Sequence, residues 1–300
     1  MLINKATLDA LFAGFNVIYQ KAFQAYKPEY ERIAMVVPST TASENYAFLG
    51  AFPKMREWIG ERQYKNLLAS KYAVPNKDFE SSVEIPRNDI QDDKIGLFNP
   101  FVAEVGRAAA SHPDELVFAL LPAGFTEGCY DGQPFFSAAH KGKDAKGKVI
   151  SVSNMDVPES NPGNPWFLLD TSRAVKPVIF QNRKAPEFAA LTNPESEHVF
   201  KNKSFIYGVD SRDNAGYGLW QFAFGSKQPL TPENYAKARA AMMAFTDAAG
   251  KLLQVKPDLL VVGGSNEGAA RSICLGEHQA SGASNPWRGT AEVMVTPHLL

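Results

Sequence analysis

The chain has 300 residues, 45% of them hydrophobic and 21% charged, and carries a formal net charge of −1. That length buries one large core or two smaller ones, so two or more lobes are expected. The near-balance of charge argues against a partner held by a basic face, because nucleic acid and anionic membranes both need clustered Lys and Arg.

The stretch 10–20 is uncharged, but Lys5 and Asp9 precede it and no small-residue cleavage site follows, which argues against a secretory leader. Leu8, Leu11, Phe12, Phe15, Tyr19, Ala22 and Tyr26 recur instead at helical spacing. They predict an amphipathic helix that needs a partner surface. No apolar run is long enough to span a bilayer. A Ser/Thr patch (38–46) and a compact segment (48–64) come next. Phe79, Ser81, Val83 and Ile85 then alternate with Glu80, Ser82 and Glu84. With QYKNLLASKY turned back at VPNKD (74–78), the region 61–86 reads as a long two-stranded hairpin. Such a hairpin is marginal alone and should lie on something else, a second subunit included.

Ile95, Phe98, Val102, Val105 and Ala109 predict a helix over 90–110, which His112-Pro113 is expected to interrupt before DELVFALLPAG resumes as a short helix toward Gly124. Two exposed loops are expected, one basic and glycine-rich (142–148) and one of Pro, Asn and Gly (158–165). The run WFLLDTSRAVKPVIFQNRKAPEF (166–188) has apolar residues on both faces, as a strand between two layers has, with Lys and Arg stems at its edges. A second β region covers 205–226. Thr231 and Pro232 then mark a helix start, and Tyr235, Ala238, Met242, Phe245, Ala249 and Leu252 extend that helix, with Gly250 bending or ending it. DLLVVGG (258–264) reads as a buried strand, NEGAARSIC as a helix, and AEVMVTPHLL as a final strand.

The residues that could carry chemistry each have a plainer reading. GKDAKGKV (142–149) has the Gly-x4-Gly-Lys spacing of a phosphate loop, but Val149 stands where a magnesium-binding hydroxyl belongs and VISVS after it reads as a strand. VVGGSNEGAAR places Ser265 between a strand and a helix, one position short of a nucleophile elbow, and helix capping explains the serine. His112, His140, His198, His278 and His298 are scattered, without the spacing of a metal motif. Cys129 and Cys274 read as buried filler in a reducing compartment. Asp92-Asp93 suits a polar helix start. Tyr217, Trp220, Phe222 and Phe224 read as a buried strand face rather than a base-stacking platform. No catalytic, cofactor-binding or metal-ligating residue is assigned.

A resemblance adds to this reading. DGQPFFSAAH (131–140), the 166–188 run, GVDSRDNAGYGLWQFAFGS (208–226), LTPENYAKARAAMMAFTDAAGK (230–251) and PDLLVVGGSNEGAAR (257–271) resemble the Mu-like major head subunit (gpT) family, tailed-phage major capsid proteins of the HK97 type. The likeness covers nearly the whole chain. It implies an α+β, HK97-like capsid fold with an N-terminal arm and leading P-domain segment (1–60), an extended E-loop hairpin (61–88), a spine helix and P-domain sheet (89–228), an A domain (229–288) and a returning strand (289–300). Within these, the spine helix is expected at 90–121 and the A-domain core at 231–274.

The implied role is structural and not enzymatic. Hexamers and pentamers would close an icosahedral shell around packaged double-stranded DNA that is bound without sequence specificity. A scaffolding protein or protease, a portal and decoration proteins are the implied partners, with no membrane and no cofactor. The implied location is the virion, after assembly in the bacterial host's cytoplasm. Arg173, Lys176, Arg183 and Lys184 are then expected near subunit contacts or the shell surface. Two other readings stay open on sequence: an encapsulin-like cage holding protein cargo, and a monomeric hydrolase using Ser265 or the Lys148 loop.

Overall fold

The computed structural model describes residues 2–46, 49, 72–144, 147–247, 250–279 and 281–299. In chain order the helices are α1 (Lys5–Ala25), α2 (Arg87–Gln91), α3 (Asn99–Ala123), α4 (Glu197–Asn202), α5 (Pro232–Met243) and α6 (Glu267–Cys274). The strands are β1 (Ala34–Pro38), β2 (Ser43–Asn45), β3 (Ala73–Pro75), β4 (Lys77–Pro86), β5 (His140–Lys143), β6 (Val149–Val152), β7 (Met155–Asp156), β8 (Trp166–Leu169), β9 (Val178–Leu191), β10 (Ser204–Tyr217), β11 (Ala223–Ser226), β12 (Leu259–Val262) and β13 (Glu292–Val295).

Two sheets organise the α+β chain. The first has the order β1-β9-β10-β4, with β1 parallel to β9 and the other pairs antiparallel. The second has the order β13-β12-β8-β11-β7. Two short ladders, β2 with β3 and β5 with β6, stand apart from them.

Helix α1 starts at Asn4, whose side chain accepts from the Thr7 amide while the Thr7 hydroxyl accepts from the Asn4 amide. This reciprocal cap satisfies two otherwise open donors. Leu8, Leu11, Phe15 and Tyr19 form its buried stripe, as the periodicity predicts.

The expected break at His112-Pro113 is absent, because α3 runs unbroken from Asn99 to Ala123. Proline removes one helical hydrogen bond and disfavours the α region just before it. Anchors from elsewhere in the chain offset that cost at the next residue. The buried carboxylate of Asp114 accepts from the Tyr26 hydroxyl at 2.6 Å and from the Glu29 and Tyr30 amides at 2.9 and 2.7 Å. The helix also starts later than expected, with Pro100 in its first turn, where proline is well suited.

Three further expectations change. Residues 74–78 are not a turn: β3 pairs with β2, and β4 pairs along its length with β10. The other arm expected for that hairpin, at 63–71, lies outside the described residues. The 166–188 run is two strands in different sheets, β8 and β9, rather than one. Helix α5 ends at Met243 instead of continuing to Leu252. There the Asp247 amide donates to the Lys251 carbonyl, the Leu253 amide donates to Phe245, and Gly250 adopts φ 76°. Phe245 and Leu253 thus reach the core through a turn, while Leu252, expected on the helical stripe, is exposed.

Two apolar cores result. One joins α1, the first half of α3, β4 and the far halves of β9 and β10, with Phe12 and Tyr19 stacked on Phe188 and Phe15 edge-on to Tyr207. The other holds both faces of β8 and β12, the end of α3, α5 and α6. Helix α3 gives Val102, Val105 and Ala109 to the first core and Val117, Phe118 and Leu121 to the second. Between these two sets lies Pro113. Across from it the β9–β10 register shifts between Asp210 and Asp213, and the His112 ring nitrogen Nε2 meets Asp213 Oδ1 at 3.1 Å.

Phe167 is fully buried against the Phe125 and Phe136 rings. Phe167→Ala should cost about 3–5 kcal/mol of subunit stability, whereas Phe200→Ser, on a side chain 79% exposed, should stay within about 0.5 kcal/mol. Urea unfolding of the unassembled subunit measures both.

Candidate assembly surface

The structure disperses the residues that might have formed an active site. Of the 142–149 stretch, the described residues 142–144 and 147–149 belong to the β5–β6 ladder and its flanks, with Gly147 at φ 80° and the Lys148 amide donating to Asp144. It leads into a strand, so the phosphate-cradling amides of a helix N-terminus are not presented there. Ser265 lies in a short 3₁₀ turn and accepts from the Asn164 side chain at 2.8 Å. It does not cap α6, whose N-cap position is Asn266, so the capping expectation is corrected. At Gly263 an added Cβ would fall 1.9 Å from the Leu299 carbonyl oxygen. That glycine therefore serves the passage of the C-terminal segment over the strand end.

Asp92 and Asp93 stand at the end of α2 rather than at a helix start, with Asp93 at φ 59°. A helix C-terminus disfavours acidic groups, and Lys94 compensates by pairing with Asp89 and Asp92. His112 pairs with Asp213, His198 with Glu84, and His298 stacks on Phe118. Tyr217, Trp220, Phe222 and Phe224 are all buried, as expected, although they share no one strand: Tyr217 ends β10, Trp220 and Phe222 belong to a 3₁₀ turn, and Phe224 lies in β11. Cys274 is buried filler. His140, which has no metal-motif spacing in the sequence, is a buried, hydrogen-bonded histidine that meets Asp131 and Cys129 in one cluster. The separation of nine residues along the chain concealed that contact, and Cys-x-Asp in a tight loop was the available signal.

The four cations of the 166–188 run are largely used within the chain. Arg173 donates to the Leu253 and Gln254 carbonyls and lies over the Phe222 ring. Lys176 donates to the Glu31 and Arg32 carbonyls. Arg183 reaches the Ser39 carbonyl at 3.3 Å. Lys184 bridges Asp210 and Glu187 on the exposed side.

A polar knot holds the loop between β1 and β2. One oxygen of Glu44 accepts from the Thr40 and Thr41 amides and from the Ser39 and Thr41 hydroxyls. Asn76 donates to Ser39 and to the Thr41 carbonyl, and itself accepts from Gln181 at 2.5 Å. Those donors, led by the Thr40 amide, hold the Glu44 carboxyl down at about 2.

The outward-facing side chains are partly apolar. Phe200 on α4 and Leu191 at the end of β9 are exposed where that strand pair turns over. Leu97 and Phe101 are exposed at the start of α3, Val17 on α1, and Val149 and Ile150 on β6. Single exposed apolar residues are ordinary, but large side chains grouped at projecting ends mark contact surfaces. Among the described residues β4 is an edge strand, and it carries Lys77, Asp78, Glu80 and Glu84, charges that discourage indiscriminate strand pairing. No described helix is long and apolar enough to cross a membrane.

The family model described as "Mu-like prophage major head subunit gpT" matches residues 8–299. The chain is 40% identical to the major capsid protein of Escherichia phage Mu over 305 residues, covering 100% of each. It is 44% identical to the Mu-like prophage FluMu major head subunit of Haemophilus influenzae, covering 91% of this chain and 90% of that one. It is also similar to a chain of the bacteriophage JBD30 procapsid, with TM-score 0.87, 43% identity, and coverage of 99% of this chain and 100% of that one.

The Glu44 knot gives a pH prediction. A carboxyl whose folded value is depressed from 4.5 to about 2 adds stability that is fully present above the unfolded value and lost as pH falls through the folded one. Glu44→Gln should therefore lower the urea midpoint by a constant amount near neutral pH, and the gap to the parent should close on acidification from 4.5 toward 2. A gap that does not change over that range would show that the carboxylate charge contributes nothing.

Proposed function

Because the chain belongs to the family of Mu-like prophage major head subunits (gpT), we propose that it builds a phage head by repetition of itself. It is a capsid protein of the HK97-like fold and a structural subunit rather than an enzyme. The observation that carries the reading is the chain-long likeness to a procapsid subunit. The hydrolase reading loses its footing, since Ser265 is engaged by an amide side chain and Lys148 sits on a hairpin. The family relation likewise disfavours a cellular cage.

Further details are proposals of this reading. One chain closes an icosahedral shell through heterologous contacts in hexamers and pentamers, and many modest interfaces act together. The exposed ends at Phe200, Phe101 and Val149 are suited to such contacts. A scaffolding protein or protease, a portal and decoration proteins would complete the head, which is assembled in the host cytoplasm. A net charge of −1 suits a container for double-stranded DNA, because strong phosphate contacts would make packaging adhesive and salt-sensitive. The arm at 1–60, E-loop at 61–88, P domain at 89–228, A domain at 229–288 and returning strand at 289–300 remain the proposed division. In it, β8 and β11 join the sheet that β12 and β13 extend, so the A-domain sheet draws strands from both sides of the boundary at 228.

Light scattering after size-exclusion chromatography, with negative-stain imaging and with or without a co-expressed scaffolding protein, should show rings or shells. A monomer persisting in both conditions would overturn the assembly reading. Phe200→Ser should reduce assembly while leaving the isolated subunit intact. The double variant Arg183→Glu, Lys184→Glu tests the remaining surface cations, and unchanged assembly would remove them from the contacts.

A further inference from the structure

Cys129, Asp131 and His140 place a thiol, a carboxylate and an imidazole so that their donor atoms all lie within 4.8 Å of one another. Asp131 is the centre of the group. Its Oδ1 accepts from Cys129 Sγ at 3.2 Å and its Oδ2 meets His140 Nδ1 at 2.7 Å. A tetrahedral zinc ion with ordinary bond lengths separates such donors by about 3.3–3.6 Å, so adjustments of about 1 Å convert the present spacing into a coordination triangle.

The backbone already holds these groups in place. Cys129 and Asp131 share a tight loop closed by the Cys129 amide donating to Gln133 and by the Gly128–Pro134 bridge, with Gly132 at φ 80°. His140 opens β5, fully buried, its ring stacked on Trp220 at 4.0 Å and 7°. Its other nitrogen, Nε2, faces the Phe135 carbonyl at 3.3 Å. A backbone carbonyl behind the far nitrogen is how a metal-bound histidine is oriented, since it fixes the tautomer that leaves the near nitrogen free to ligate. A cavity of about 270 Å³, lined by Asp131, Lys141, Trp220 and Asp247, borders the cluster on the Asp131 side.

We propose that Cys129, Asp131 and His140 form a binding site for a zinc-class divalent cation, with water from the adjoining cavity in the fourth position. One sulfur, one nitrogen and one carboxylate oxygen form a mixed donor set that suits Zn²⁺ better than Mg²⁺ or Ca²⁺, which take oxygen ligands. In the metal-free chain the Cys129 thiol and the His140 Nδ1–H both donate to the Asp131 carboxylate. On binding, the cation takes their place: the thiol proton leaves to solvent, and the imidazole stays neutral by carrying its proton on Nε2 toward the Phe135 carbonyl, which frees Nδ1 to ligate. The bound ion would staple the loop after α3 to the start of β5, adding a removable lock to a segment otherwise held by hydrogen bonds and packing.

The test uses the full chain, stripped with a chelator and titrated with Co²⁺ as a spectroscopic stand-in and with Zn²⁺ by equilibrium dialysis. One cation per chain and a thiolate-to-cobalt charge-transfer band are expected. Cys129→Ser should abolish the band, and Cys274→Ser should leave it. His140→Ala should weaken Zn²⁺ binding by more than the roughly 10–100-fold lost when a merely supporting residue is changed. His198→Ala should have no effect. Absence of the band in the parent protein, or a band that survives Cys129→Ser, would overturn the assignment whatever the folding of the variants.

Discussion

The antiparallel ladder of β9 on β10 is the constraint from which the rest of the molecule follows. Each strand has 14 residues, and the pair runs from the core under β1 to the core under α1 without leaving the sheet. Val178, Ile179 and Phe180 are buried at one end and Phe188, Phe205 and Tyr207 at the other. One chain segment therefore needs two separate apolar partners. Helix α3 supplies both, because its 25 residues lie over the same span and offer one half of the buried stripe to each core. The second sheet, α5 and α6 then cover what remains of the larger core.

How far the sequence discloses this depends on whether the information is local. The α1 stripe, the all-buried LLVV of β12 and the α6 helix are each determined by their own side chains, and all are legible. Pro113 misleads because what holds the helix together at the next residue, Asp114, comes from Tyr26, Glu29 and Tyr30, 84 to 88 positions from it. The alternation of Phe79, Val83 and Ile85 correctly identifies a strand but not its partner, since Tyr207 and Phe205 lie far along the chain. Burial on one face gives the period of a strand and says nothing of which edge it joins. Cys129, Asp131 and His140 are separately unremarkable, and only the loop at Gly132 brings them together.

The apolar and charged features serve different purposes here. Cations in the 166–188 run mostly tie loop carbonyls inside the subunit, so specificity between subunits rests less on them than their number suggests. Exposed aromatics and aliphatics at strand and helix ends are the features left without an internal use. For a shell subunit that division is coherent: a rigid body is fixed by internal polar ties, and its projecting ends remain available for neighbours.

The level of the molecule where Pro113 faces the register shift of β9 and β10 has a mechanical consequence. At that height the helix lacks a backbone hydrogen bond and the ladder lacks regular pairing, so both long members are weakest against bending at the same place. The bond between His112 and Asp213 fastens the two soft points to each other. Load applied at one core is therefore not spread evenly along α3. It falls first on this crease, which lies between the two cores and is where α3 and the ladder resist bending least.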